Sequence, residues 1–292
     1  MSALPTNDGR HHGTSAEPVT LVTGAALNIG RASAIAMADA GHRIFATDVD
    51  AEGLADTVAH IERAHGSDRA TARVVDLADP AAPAALVDGA VTQWGRLDTI
   101  VHCAVDRGRG AVGSWTVAQW DTALAINVRS AAFLVQAALP HLTASDQASV
   151  VLLSSVHAQV THQNCALYAT TKGAVDSLTR GLAVELGPVG IRVNAIHPGW
   201  VPGEPATPTP VQLASYPLGR LGQPEEIAAA VVFLASSASA WTTGAILTID
   251  GGMRALSPES SSQHAAAVTA AAGSAPSRFR QRIKRFGGPT RR

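Results

Sequence analysis

Short apolar stretches alternate with alanine-rich, amphipathic stretches from residue 19 to residue 254 of the chain. The run Val150–Leu153 is apolar at every position, which is typical of a strand covered on both faces of a sheet. Because helical stretches separate the strands, the pattern predicts an α/β fold: one doubly wound, seven-stranded parallel sheet flanked by helices. The predicted strands are 19–23, 43–48, 71–76, 98–104, 149–154, 191–197 and 245–250.

Several helix boundaries are marked by their own residues. An alanine-rich run ends at Ala40 and is followed by Gly41, a residue type that commonly closes a helix. Asp79-Pro80 predicts one helix start, and Pro224 with the two glutamates after it predicts another, because proline and acidic residues suit the first turn.

Composition divides the chain into three segments. Residues 1–18 lack the charged-then-apolar pattern of a signal peptide and are predicted to form a flexible leader. Residues 19–254 form the predicted globular domain, and residues 255–292 are a low-complexity, basic tail that is predicted to be disordered. No apolar stretch is long and clean enough to predict a membrane span.

The formal net charge of −1 conceals a strong polarity along the chain. Residues 1–254 carry 15 basic and 22 acidic side chains, whereas residues 255–292 carry seven basic and one acidic. The tail could bind nucleic acid or an acidic membrane, with Phe279, Ile283 and Phe286 as the apolar stripe of a short basic helix. Alternatively, it is simply solvated or docks on the acidic body of its own chain.

Cysteine and histidine usage restricts the chemistry further. The two cysteines, Cys103 and Cys165, provide no disulfide framework, which is typical of a reducing compartment and predicts a cytoplasmic protein. The chain has 11 histidines, but their spacing matches no zinc pattern, so the sequence predicts no metal site.

Lys172 is the only lysine among the first 283 residues of a chain that has 20 arginines and two lysines. Tyr168 lies four positions before it, and residues at i and i+4 share one face of a helix. A nearby ammonium lowers the pKa of a phenol, so this pair could serve as a general acid and base. The same spacing also occurs in exposed helical pairs, so other motifs have to support the interpretation.

Gly24 and Gly30 bracket a turn between the first strand and the first helix. Such a turn lets the backbone and the N-terminal amides of a helix approach the pyrophosphate of a dinucleotide. Asn28 stands where a further glycine is expected, and asparagine tolerates a positive φ. Asp48, at the end of the second strand, is suited to bind a ribose diol and to repel a 2′-phosphate, which favours NAD over NADP.

Taken in order, these motifs resemble those of the short-chain dehydrogenase/reductase family over about Val19 to Met253. The likeness extends to Asp76, to Pro198-Gly199 after the sixth strand, and to Asp250-Gly-Gly252. It implies a Rossmann-like fold, a nicotinamide cofactor, and hydride transfer between that cofactor and a secondary alcohol or ketone. Dimers and tetramers of one chain are common in the family, so a homodimer or homotetramer is expected.

The resemblance also assigns roles to individual residues. Tyr168 is the expected acid and base, and Lys172 lowers its pKa and holds the nicotinamide ribose. Ser155, preferred over Ser154 because it lies 13 residues before Tyr168, orients the substrate, and Asn127 positions a proton-relay water. The expected cofactor-binding residues are Gly24, Asn28, Ile29, Gly30, Asp48, Asp76, Leu77, Ala104, Tyr168, Lys172, Pro198, Gly199 and Val201. The candidates for substrate contact are His157, His162, Cys165 and Trp200.

Three features depart from the family pattern. The segment His102–Val105 replaces the usual Asn-Asn-Ala-Gly, Asn28 lies in the phosphate turn, and four prolines between residues 202 and 210 forbid a regular helix there. The last feature predicts a short, stiff lid and a more open pocket. Together with the tail, these departures leave a second hypothesis: a non-catalytic dinucleotide-binding or scaffold protein on the same fold.

Overall fold

A computed structural model describes residues 17–203 and 207–257 of the chain. The chain divides into two compact units, the first formed by residues 1–203 with 222–249 and the second by residues 204–221 with 250–292. The predicted stripe Phe279, Ile283 and Phe286 lies outside the described residues.

The first unit contains the predicted seven-stranded sheet, in which every neighbouring pair is parallel and the strand order is β3-β2-β1-β4-β5-β6-β7. The first two predicted strands are confirmed at both ends, and the other five differ by no more than two residues at either end. The strands are β1 (Val19–Thr23), β2 (Arg43–Asp48), β3 (Ala70–Val74), β4 (Thr99–His102), β5 (Ser149–Leu153), β6 (Arg192–Pro198) and β7 (Ile246–Ile249).

Helices connect the strands, as the alternating pattern predicted. The helices are α1 (Asn28–Asp39), α2 (Ala51–His65), α3 (Ala82–Trp94), α4 (Val117–Leu124), α5 (Ser130–Thr143), α6 (Ala166–Leu186), α7 (Pro210–Ala214) and α8 (Pro224–Ala235). The predicted start at Pro224 is confirmed, and the backbone N–H of Gln223 donates to Glu226 Oε2 in a capping box. The start predicted at Asp79-Pro80 comes slightly too early, because Asp79 first closes a turn with Ala81 N (2.9 Å) and α3 follows it.

Two apolar layers cover the sheet. Leu21 of β1 packs in the layer that contains Leu86 and Leu134 of α3 and α5. The next residue, Val22, packs in the opposite layer with Met37 and Val231 of α1 and α8. The two-residue period of a strand therefore supplies both cores, which explains why the inner strands β1 and β5 are buried at every position.

The strand order reverses between β1 and β4, since the chain passes from β1 outward to β3 and then returns to the other side of β1. In open α/β sheets, ligands bind at the carboxyl ends of the strands at this position. The predicted cofactor turn after β1 and the altered segment after β4 therefore lie at the same point of the sheet.

The predicted leader and the proline-rich loop lie partly within the described residues. Glu17 and Pro18, assigned to the leader, contact the first unit: Glu17 pairs with Arg43 and Arg69, and Pro18 O accepts from Arg43 N. In the proline-rich loop, residues 202–203 and 207–209 are irregular, and α7 of the second unit begins at Pro210 behind a Thr209 cap. A lid function for this loop stays a prediction.

Among the described residues, the helical run Val117–Thr143 is long and apolar enough to cross a membrane. Its residues Leu134, Ala138 and Leu142 are fully buried in the core of the first unit. Core helices of water-soluble proteins meet the same criterion, so this run is weak evidence for a membrane span.

Candidate functional site

Glycine is required at both ends of the turn after β1. Gly24 has φ +68°, and a Cβ there would lie 2.7 Å from the backbone nitrogen of Ala104. A Cβ on Gly30 would lie 1.8 Å from the carbonyl oxygen of Gly24. Backbone atoms occupy the space of both side chains, so the turn closes tightly against the end of β4.

The N-terminus of α1 leaves its amides open. Its capping residue, Leu27, makes no side-chain hydrogen bond, and the first turn of α1 has no acidic residue. By contrast, α2 is capped by Asp50, which accepts from Glu52 N and Gly53 N (3.2 Å each). The exposed amides and the helix dipole make the start of α1 suitable for a phosphate group.

Asn28 adopts the positive φ that the sequence suggested, with a value of +50°. Its Nδ2 donates to the carbonyl oxygen of Val201 (3.4 Å), while its Oδ1 is buried and has no partner among the described residues. The neighbouring Ile29 is half-buried at the same turn. The turn is thus joined to the segment after β6, where Gly199 N also donates to Ile249 O (2.9 Å) beside Pro198.

Asp48 fixes the end of β2 to the glycine turn. Its Oδ2 accepts from Ala26 N (3.0 Å), and its Oδ1 accepts from Val49 N (2.7 Å) and Asp50 N (3.2 Å). Beyond β3, the carboxylate of the exposed Asp76 accepts from Ala78 N (2.8 Å), and the next residue, Leu77, is buried.

The altered segment after β4 is integrated into the core. Ser130 Oγ donates to Ile126 O (2.6 Å), so His102 Nε2, at 2.7 Å, donates to Ser130 Oγ. Burial lowers the pKa of His102 to about 3, which keeps the imidazole neutral. Ala104 N donates to Thr23 Oγ1 (3.1 Å), so the strand ends stay joined without the usual asparagines.

Asn127 lies in a π-helical turn, Ala125–Arg129, between α4 and α5. Its Oδ1 accepts from Asp106 N, and its Nδ2 donates to Asp106 O, each at 2.7 Å; Nδ2 also donates to Thr171 Oγ1 (2.9 Å). Both amide protons are therefore used by protein atoms. The side chain connects the loop after β4 to α6, and its expected role in a water relay stays a prediction.

Tyr168, Lys172 and Ser155 come together at the start of α6. Lys172 Nζ lies 5.7 Å from the centre of the Tyr168 ring and donates to Leu153 O (2.5 Å). Ser155 lies close enough to the Tyr168 phenol for its hydroxyl to lower the pKa of that phenol. Ser154 instead donates to Lys172 O (3.1 Å) and Asp176 Oδ1 (2.7 Å), which places Ser155 and not Ser154 against the phenol.

The protonation of this pair differs from the expectation. Burial raises the pKa of Tyr168, and the groups that oppose this are the Ser155 hydrogen bond and the charges of Arg107 and Arg109. Burial also lowers the pKa of Lys172 to about 8. The expectation that Lys172 sets a low pKa at Tyr168 is not met here, because burial disfavours the charged form of both groups.

The sequence reasoning missed the two arginines of the loop after β4. Within the described part of the chain, neither Arg107 nor Arg109 forms an ion pair or hydrogen bond. Their loop is held by the Asn127–Asp106 bonds and by Gly110 N, which donates to Asn164 O (3.1 Å). The available signal was the pair of arginines two positions apart, just after the segment His102–Val105 that departs from the family.

Asp176 was missed as well, although it continues the four-residue spacing of Tyr168 and Lys172. It accepts from Ser154 and from His197 Nε2 (2.8 Å), and its charge raises the pKa of Lys172 against the effect of burial. His197 is fully buried. A buried carboxylate one helical turn after Lys172 therefore favours the charged form of that residue.

Three of the four substrate-contact candidates lie together. A ring nitrogen of His157, a ring nitrogen of His162 and Cys165 Sγ all lie within 4.8 Å of one another. The ring of His157 also packs edge-on against Tyr168, with 5.8 Å between centroids. Trp200 is 38% exposed beyond the end of β6.

This arrangement suits proton transfer at one oxygen. It offers a half-buried phenol, a serine hydroxyl close to it, and an ammonium in reach of the same ring, together with a turn suited to a dinucleotide. Phenol and hydroxyl can both hydrogen-bond to the oxygen of an alcohol or a carbonyl compound.

Known proteins are similar over nearly the whole globular part. Residues 24–254 match a family described as enoyl-(acyl carrier protein) reductase. The chain is 38% identical over 247 residues to a cis-4-hydroxycyclohexanecarboxylate dehydrogenase of Sinomonas cyclohexanicum, with 82% of this chain and 98% of the relative covered. It is 34% identical over 235 residues to a 3-alpha-(or 20-beta)-hydroxysteroid dehydrogenase of Mycobacterium tuberculosis, with 80% and 88% covered.

A solved structure agrees with the fold. A dehydrogenase/reductase from Sinorhizobium meliloti 1021 superposes with a TM-score of 0.77 at 33% identity, over 82% of this chain and 96% of that chain.

Proposed function

The chain belongs to the short-chain dehydrogenase/reductase family, and on that premise we propose that it interconverts a secondary alcohol and a ketone with a nicotinamide cofactor. The observation that carries the proposal is the convergence of Ser155, Tyr168 and Lys172 at the start of α6. The relatives named above act on hydroxyl groups of a cyclohexane ring and of steroids, which supports an alcohol substrate.

The residues of the crevice fit a dinucleotide. The uncapped start of α1 and the close approach of Gly24 and Gly30 leave backbone amides for the pyrophosphate. The unpartnered Oδ1 of Asn28 is a free acceptor at the same turn. We expect the remaining contacts from Ile29, Asp48, Asp76, Leu77, Ala104, Tyr168, Lys172, Pro198, Gly199 and Val201.

NAD is the proposed cofactor, with NADP less favoured. Asp48 ends β2, and Asp50 and Glu52 follow it, so the local charge is negative where a 2′-phosphate would lie. Asp48→Ala should shift the kcat/KM ratio toward NADP, with Asp56→Ala, at an exposed position of α2, as the matched control. An unchanged cofactor ratio in Asp48→Ala would contradict the assignment.

In the oxidation direction, the Tyr168 phenolate accepts the proton of the substrate hydroxyl. Ser155, Arg107 and Arg109 favour this phenolate against the effect of burial on the pKa of Tyr168. Ser155 also donates a hydrogen bond to the substrate oxygen. The bound nicotinamide supplies the hydride acceptor. Lys172 uses one of its three N–H groups on Leu153 O, which leaves donors for a ribose hydroxyl. In the reduction direction, the Tyr168 phenol returns the proton to the carbonyl oxygen.

We propose that the protein is a cytoplasmic homo-oligomer. Both cysteines are free thiols, in keeping with a reducing compartment. Apolar side chains are exposed at one edge of the first unit: Trp241 fully, and Phe233 and Leu247 by 43% and 37%. Large exposed apolar side chains near the edge strand β7 are suited to pairing with a second copy of the chain.

The proposal is tested with the full chain, NAD and NADP, and a panel of secondary alcohols and ketones, by following nicotinamide absorbance. Tyr168→Phe removes the proton-transferring oxygen and should lower kcat by roughly 10²–10⁴-fold, with NADH affinity preserved. Thr170→Ala, which removes an exposed hydroxyl from the same helix, is the control. Full turnover in Tyr168→Phe would sink the mechanism, and absence of turnover with every substrate despite NAD binding would favour the non-catalytic hypothesis.

A further inference from the structure

His157, His162 and Cys165 form a compact group of nitrogen and sulfur ligands beside the proposed catalytic site. His157 lies in a short 3-10 turn after β5, His162 in the loop that follows, and Cys165 at the residue before α6. Their ligand atoms lie within 4.8 Å of one another. Cys165 is buried, His157 is half-buried and His162 is exposed, so the group opens toward solvent on one side.

Backbone carbonyls orient both imidazoles. His157 Nδ1 lies 3.2 Å from Val160 O, and His162 Nδ1 lies 2.8 Å from Gln163 O. A carbonyl oxygen only accepts, so each Nδ1 carries the proton and each Nε2 keeps its lone pair. Metal-binding histidines show this arrangement, because donation to a carbonyl fixes the ring and makes the other nitrogen more basic.

We propose that His157 Nε2, His162 Nε2 and Cys165 Sγ bind one transition-metal ion of the zinc type. Two imidazoles and a thiolate match the ligand preference of Zn²⁺, and three protein ligands leave a fourth position for water. With metal–ligand bonds of about 2.0–2.3 Å, tetrahedral ligand atoms lie roughly 3.5 Å apart. Atoms that lie within 4.8 Å of one another therefore have to approach by at most about 1.3 Å, through movement of the irregular, solvent-facing segment that carries His162.

Arg109 carries a positive charge that opposes the binding of a metal ion at this site. Its charge acts on both His157 and Cys165. The guanidinium is exposed, so solvent and salt screen its repulsion of a dication. The three ligands act at bonding distance and outweigh a screened charge.

The ion would be inhibitory. His157 packs edge-on against Tyr168 with 5.8 Å between ring centroids. A metal ion on His157 and its bound water therefore occupy the space through which a substrate hydroxyl approaches the phenol. Zinc should inhibit in competition with the alcohol and not with NAD.

Metal binding is tested on the untagged, chelator-dialysed full chain by titration with CoCl₂ in the absence of NAD and substrate. Tetrahedral cobalt bound to Cys165 should give a thiolate charge-transfer band in the near ultraviolet, which ZnSO₄ abolishes by displacement. Cys165→Ser should lose the band. His162→Gln lies at an exposed position and carries little folding risk. It should lower the affinity for cobalt by at least ~10–100-fold, which is the loss that follows removal of an outer-shell partner alone.

His60→Gln, at an exposed position of α2, is the matched control and should bind cobalt like the wild type. No thiolate band, or equal affinity in His162→Gln and wild type, would overturn the site. Zinc that binds there but leaves the alcohol KM unchanged, or that raises turnover, would overturn its inhibitory role. These binding measurements need no turnover, so their result is separate from that of the proposed oxidoreductase activity.

Discussion

Lys172 should titrate near pH 8 and lower the stability of the folded protein while it is charged. Burial lowers its pKa from 10.5 to about 8, although the charge of Asp176 acts in the other direction. A fall of this size, at ~1.4 kcal/mol for each pH unit, corresponds to about 3 kcal/mol of free energy of unfolding. That free energy is the net cost of burying the ammonium at the carboxyl end of β5.

The pH dependence follows from the direction of the fall. Below pH 8, Lys172 is protonated in the folded and unfolded chains alike, and the full cost is present. Between about 8 and 10.5 the folded chain has lost this proton while the unfolded chain still binds it, so stability rises with pH. Above 10.5 both forms are neutral and no cost remains.

Lys172→Met removes the titrating group and keeps most of the apolar stem. The free energy of unfolding of the wild type minus that of Lys172→Met should therefore rise by about 3 kcal/mol across this pH window. Urea unfolding of both proteins from neutral pH upward measures the difference, in which the titration of shared groups cancels. The lost hydrogen bond to Leu153 O shifts the whole difference curve without changing its slope.

The same pKa can be read directly. The chain has two lysines, so protein labelled with ¹³C at lysine Cε gives two resonances, and Lys172→Met identifies one of them. That resonance should titrate near 8. A midpoint near the value of a free lysine, or a stability difference that does not change with pH, would refute the reasoning.

Three further predictions follow from the site and the surface. Replacing Arg107 and Arg109 together by glutamine should raise the pKa of Tyr168 and move the pH–rate profile for alcohol oxidation to higher pH. The movement should be smaller in high salt, which screens the two charges. An unmoved profile would contradict the influence of the two arginines on Tyr168. Gly30→Ala should destabilise the protein by about 3 kcal/mol or more in thermal or urea unfolding, because the new Cβ meets the carbonyl oxygen of Gly24. In the control Gly113→Ala the new Cβ meets nothing within 4 Å, and equal stability of the two variants would disprove the packing argument. Trp241→Ser should lower the oligomer mass measured by light scattering, and an unchanged mass would exclude this surface from the interface.

Local signals were enough to predict the sheet and the main turns. Strands β1 and β2 are buried on both faces over most of their length, so the position of each is visible in a window of a few residues. The positive φ of Asn28 and the helix start at Pro224 also depend on neighbours in sequence. The ends of β3 and β4 were placed less well, because where pairing stops depends on the adjacent strand.

The parts of the site that were missed depend on contacts between distant segments. The pKa of Tyr168 depends on how deeply the start of α6 is buried and on a loop that lies about 60 residues earlier in the sequence, which spacing within one helix does not reveal. His157, His162 and Cys165 were each proposed as substrate contacts, but the backbone bonds that turn both imidazoles appear only in three dimensions.

The helical run that carries Asn127 contains a wider turn at Ala125–Arg129, one residue longer than regular winding requires. Because this turn already absorbs its extra residue, the sensitive positions lie in the regular winding beside it. Deleting one residue of α5 just after the turn would rotate α4 and Asn127 by about 100° relative to the rest of α5. The buried Ala123 of α4 would turn away from the core, and the anchor for Asp106 would be lost with it. We therefore expect this helix to tolerate many side-chain substitutions but not a change in length, whereas the exposed connection at residues 66–68 should accept a one-residue insertion.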